Sequence, residues 1–166
     1  MTRWSLLLVT ACVLVLGVAS VGLAAPPHHF TDSIDYSDEA PCTGFNDVFV
    51  GHLDVSGVTT FDNQGNRVRE VFHYSGWETN SRSDRPYVSI TAKRNFTEIF
   101  DWTTGILTDV GNVYTQTAPG QGVLFHDVGF ISFDLNTGGD KIISHGPHDV
   151  WEQGQAAFCD ALLAVS

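Results

Sequence analysis

The sequence predicts a mainly β domain, an antiparallel up-and-down β-barrel of about seven to eight strands with one C-terminal α-helix. Three observations carry that expectation. Apolar and polar residues alternate from Phe45 onward, as in "FNDVFVGHLDVSGVTTF" (45–61), where Phe49, Leu53, Val55 and Phe61 share the odd-numbered face. Short stretches of turn chemistry, such as "DNQGN" (62–66) and "NTGG" (136–139), separate the runs, and their glycines can supply positive φ. After residue 149 the period changes to that of a helix, with Trp151, Phe158, Leu162 and Val165 at helical spacing.

Residues 1–24 read as a signal peptide. Arg3 gives the charged start, "SLLLVTACVLVLGVASVGL" the apolar run, and "GLA" the small residues of a cleavage site before Ala25. The boundary "AAPPHH" is not a stop-transfer signal, so no stable membrane insertion is expected after cleavage. Cys12 admits a lipid-anchor reading, but "VLVLGVASVGL" follows it, whereas a lipidated mature chain should begin polar. The expected product is secreted, a single domain of roughly 140 residues. The whole chain carries a net charge of −11, and all 19 acidic residues lie beyond the signal. Such a surface repels phosphate backbones, which excludes nucleic acid as a partner and disfavours anionic membrane surfaces.

Residues 25–44 read as an extended or mobile lead-in, rich in Pro, Asp and Ser, with His28 and His29 as solvated side chains. The barrel domain then spans 45–166. Its expected strands are 45–61, 67–77, 86–93, 96–102, 106–117, 122–135 and 140–145. Run 122–135 is apolar on both faces: Val123, Phe125, Ile131 and Phe133 lie on one, Leu124, Val128 and Phe130 on the other. That suits a barrel with a partly covered wall or an apolar cavity. A helix over 150–164 closes the chain, weakened at Gly154. Asp149, with Glu152 three residues on, has the spacing of a capping box, and Pro147 ends the strand before it. Cys42 and Cys159 are the cysteines left after the signal is removed. In an exported chain they pair most simply with each other, fastening the helix to the entry of the first strand.

"SHGPHD" (144–149) concentrates two histidines and an aspartate, and poses the question of chemistry. If residue 135 faces 140 across the last turn, His145 lies opposite Phe130, with His126 about 13 Å away along the strand. Those two cannot share an ion, so no metal site is expected. The same register sets His148 opposite Asp127. This pair is the candidate for acid/base chemistry, or for a buried contact that orients the helix. His52 and His73 read as ordinary strand residues. Nucleophile elbows, phosphate loops and dinucleotide fingerprints are absent, so no cofactor is expected. "NFT" at Asn95 is a glycosylation sequon where the host glycosylates.

"FDNQGNRVREVFH" (61–73), "APGQGVLFHDVGFISFD" (118–134) and "GPHDVWEQGQAAFCDALLA" (146–164) together resemble an uncharacterised family of small secreted actinobacterial proteins. The resemblance covers most of the mature chain. It includes cysteines like Cys42 and Cys159 and a Gly-Pro-His pattern at Gly146, Pro147 and His148, while His126 and His145 are individual to this chain. It implies a fold like the β-barrels of allene oxide cyclases and dirigent proteins, and it brings no established activity. The residues and the resemblance together lead us to expect a non-catalytic barrel that binds a small apolar ligand or a cell-envelope component. The alternatives are a cyclase- or isomerase-type enzyme using Asp127 and His148, and a surface or matrix protein with no pocket.

Overall fold

The computed structural model describes residues 25–118 and 120–166; the expected signal peptide and Cys12 lie outside the described residues. Seven strands form one antiparallel sheet in sequence order: β1 (His28–Cys42), β2 (Phe45–Phe61), β3 (Arg67–Arg82), β4 (Arg85–Asp101), β5 (Ile106–Ala118), β6 (Gly122–Asp134) and β7 (Asp140–His145). A single 3₁₀ turn, Leu135–Thr137, links β6 to β7. Two short helices follow, α1 (Asp149–Gln153) and α2 (Gln155–Ala164). The up-and-down meander is as expected. Its hydrogen-bonded order is open, with β1 and β7 as the two edges.

Three expectations are corrected. The segment 25–44 is extended as expected, but it is part of the sheet and not a lead-in to it: from His28 to Cys42 it pairs with β2 along its whole length. The runs 86–93 and 96–102 are one strand, because Arg94 and Asn95 between them do not form a loop. Arg94 turns inward and is held there, and a register irregularity between Lys93 and Asn95 absorbs the change. The helix expected over 150–164 is two helices, broken at Gly154, whose φ of 59° and ψ of −138° leave the helical region. In L-residues a positive φ is costly, and glycine removes the cost.

The sheet is curled. Helix α2 touches β1, β2, β3, β4 and β6. Its ten residues span about 15 Å, whereas six flat strands would span about 24 Å. Register irregularities in β2–β3, β3–β4, β4–β5, β5–β6 and β6–β7 supply local bends. Gly111 and Gly129 face each other across β5 and β6 with φ of 118° and 132°, a conformation open to neither residue with a side chain.

One end of the concave face is filled by α2. Phe158, Ala157, Ala161 and Leu162 pack with Phe45, Ile90, Ala118 and Phe125 into the apolar core, and Phe158 meets Phe125 edge-on at 5.0 Å. Burial of this face accounts for the docking of a helix too short to be stable alone. The expected disulfide is present: Cys42 at the end of β1 is bonded to Cys159 of α2, with Cα atoms 5.6 Å apart. A polar layer lies beside this core, where Asn80 and Gln155 both donate to Asp47 Oδ2, each at 3.1 Å.

Candidate functional site

Beside the apolar core the concave face holds a cavity of about 460 Å³. Alternation along β4, β5 and β6 sends Phe96, Glu98, Asp109, Tyr114 and Asp127 to this face, with Arg94 beside them. Val113 lies at one side, and α1 roofs the space with Val150 and Trp151. Trp151 is half exposed at the mouth and packs on Phe133 at 4.6 Å. Tyr74 from β3 stacks on Phe96 at 4.8 Å and extends the aromatic wall.

The charges within are mostly acidic. Glu98 and Asp109 are direct cross-strand partners on the same face, which sets their Cβ atoms about 5 Å apart. Asp109 is 4% exposed, and its Oδ1 has no hydrogen-bond partner in the protein. Burial chiefly, then the Glu98 and Asp127 carboxylates, push Asp109 up to about 7, against the pull of Arg94 and His148. Arg94, the cation lining the cavity, is already engaged. It donates to Tyr36 Oη at 3.0 Å and to the Val113 carbonyl at 3.1 Å, lies 3.7 Å from Glu78, and stacks over Tyr114 at 4.3 Å.

The sequence-derived register holds at its critical points: His145 faces Phe130, and His148 bridges to Asp127. It does so through two cancelling differences. The loop is one residue longer than supposed, so Asp134 faces Asp140, and a shift between Ser132 and Phe133 restores the count. His148 Nδ1 and Asp127 Oδ1 are 2.6 Å apart, both side chains buried. His148 Nε2 lies 3.2 Å from the Phe130 carbonyl oxygen. A carbonyl only accepts, so Nε2 carries a hydrogen, and the Nδ1 contact holds one more proton between imidazole and carboxylate. Both ring nitrogens are thus committed, and His148 is not among the residues lining the cavity. Asp127 is: its Oδ2 is buried without a partner, and burial raises its pKa against the opposing pull of His148.

Asp149 is placed differently from its expected role. It is the first residue of α1, the N-cap position is His148, and no side chain caps that end. The Asp149 carboxylate instead accepts from the backbone N–H of His126 in β6 at 2.9 Å, because residues 147–148 still run alongside that strand, with Val128 donating to the Pro147 carbonyl. Glu152 is exposed in the first turn, where its charge suits the helix dipole. His52 pairs with Asp35 at 2.7 Å away from the cavity, and His73 meets Thr97 at 3.2 Å. Among the described residues no three His, Cys, Asp or Glu side chains converge as a metal site, and no described helix is long and apolar enough to cross a membrane.

Sequence reasoning found Asp127 and missed Glu98 and Asp109. A signal was available: the loop 102–105 between Asp101 and Ile106 fixes the register of β4 and β5, and that register sets the two acids opposite each other among Phe96, Phe100 and Leu107. No family model, curated protein or solved structure matches the chain.

Proposed function

We propose that this protein is a secreted, non-catalytic binding protein that holds a small, largely apolar molecule on the concave face of its sheet. The observation that carries the reading is the cavity itself: about 460 Å³, walled by Phe96, Tyr114 and Trp151, with buried carboxylate oxygens at its floor. Its size is that of a small-ligand site, and such sites pair an apolar wall with a few fixed polar groups. A surface or matrix protein without a ligand gains nothing from leaving such oxygens unpaired. The expected catalytic pair offers no free base, since neither nitrogen of His148 is free to take a proton from a substrate.

The test uses a neutral solvatochromic naphthalene dye. Saturable binding at one dye per chain is expected. It should be abolished when Val113→Trp fills the cavity, with Val150→Phe as an independent second variant, each checked for native circular dichroism. Failure of the dye to saturate, or unchanged binding in folded variants, overturns the reading.

A further inference from the structure

The cavity has more acceptors than donors, although the Tyr74 hydroxyl engages Glu98 and the Trp151 backbone N–H lies by Asp127. Asp109 Oδ1 and Asp127 Oδ2 are buried and unpartnered, and both residues line the space. Glu98, half-buried, adds a third carboxylate directly across from Asp109. The nearby cations cannot answer them. Arg94 is committed to Tyr36, Glu78 and Val113, and His148 spends its two nitrogens on Asp127 and Phe130. An anionic ligand would meet carboxylates with no free cation to offset them. A neutral apolar ligand can occupy the apolar wall but leaves those oxygens unpaired, so it binds more weakly than a ligand that pairs them. An ammonium group brings three donors and a positive charge, and the aromatic faces of Phe96, Tyr114 and Trp151 attract a cation as well as an apolar body.

We propose that the ligand is a small organic cation, a primary amine carried on an apolar or aromatic body, with its ammonium group against Glu98 and Asp109. The inference rests on the binding reading above and adds the class of molecule. Asp109 is faced by Glu98 and Arg94 from β4, Tyr74 from β3, Asp127 from β6 and His148 from the junction before α1. In that company it keeps its proton close to neutrality, and an arriving cation displaces it. Binding of the amine therefore releases a proton below about pH 7 and none well above it.

Isothermal titration calorimetry on the mature chain tests this with 2-phenylethylamine, its neutral counterpart 2-phenylethanol, and trimethyl(2-phenylethyl)ammonium, which has the charge without the N–H donors. The amine should bind about tenfold or more tightly than the other two, the scale of a charge-assisted hydrogen bond. Its affinity should climb by up to about tenfold per pH unit from pH 5 to 7 and then level off, with a heat that varies with the buffer's ionisation enthalpy. Asp109→Asn should collapse the preference for the amine and its pH dependence. Glu98→Gln provides a second, independent variant, and Asp54→Asn, exposed and away from the cavity, should leave the preference intact. Equal affinities for the amine and the alcohol, or an unchanged preference in both folded cavity variants, would overturn the cation proposal while the dye result still supports a binding site. No binding of amine, alcohol or dye would remove both.

Discussion

Asp109 sits in an environment far from what its type prefers. An unperturbed aspartic acid ionises near pH 4, whereas burial and two neighbouring carboxylates hold this one protonated to about 7. Between those values the folded state keeps a proton that the unfolded chain has released. Stability from this group therefore falls as pH rises from about 4 to about 7, and is level beyond. The span corresponds to roughly 4 kcal/mol as an upper figure. Asn has the shape of the protonated acid and no proton to lose. Urea unfolding at pH 4 and pH 8 should show Asp109→Asn gaining about 2–4 kcal/mol over the parent at the higher pH, and a gap that does not change with pH would refute the protonated Asp109. The sequence hid this residue because an acid in a strand reads as its wet face. Only the register across the 102–105 loop reveals that it shares a face with Phe96, Phe100 and Leu107.

The element scale shows where periodicity was readable and where partners overrode it. Strand β2 follows the alternation closely, with Phe45, Asp47, Leu53, Val55 and Thr59 buried on its odd-numbered face, and β5, β6 and β7 are set off by their turn residues. In β1 the same alternation exists, with Phe30, Ile34, Tyr36, Ala40 and Cys42 on the even face, but Asp32 and Asp38 interrupt it. An edge strand tolerates those acids, and they discourage pairing with another chain's edge. In β4 the inward charge of Arg94 imitated a loop because its partners, Tyr36 and Glu78, come from other strands. The α1 entry makes the same point. Its Asp149 has a cap's spacing yet serves the His126 amide, a long-range contact that local spacing cannot encode. The two roles separate experimentally. Asp149→Ala should cost about 1–3 kcal/mol by leaving that amide unpaired, and Asp149→Asn much less, because its amide oxygen also accepts. Asp149→Ser is the deciding variant. A serine hydroxyl serves a helix N-terminus well but is too short to reach β6, so denaturant unfolding should place it with Ala. Recovery to the level of Asn would restore the cap.

At the scale of the molecule, an open curled sheet has to be held closed by something other than a β1–β7 ladder, and here α2 and the disulfide do it from the inside. The helix joins β2, β4, β5 and β6 through one apolar cluster, and the Cys42–Cys159 bond adds β1 to that assembly. The bonded residues are separated by 117 positions, so the bond restricts nearly the whole described chain when it unfolds. On chain-entropy grounds that amounts to on the order of 4–5 kcal/mol. Because α2 is part of the core and not an appendage, loss of the bond should lower the stability of the whole sheet, and β1 should not simply peel away. The double variant Cys42→Ala, Cys159→Ala should therefore unfold in a single transition about 2–5 kcal/mol below the parent, with protection of β3 and β4 amides against hydrogen exchange falling by the same free energy. Were only β1 and α2 amides to lose protection while β3 and β4 kept theirs, the helix would be a separately opening unit. The cavity roof, which α1 shares with α2 through Gly154, would then be able to lift without unfolding the sheet.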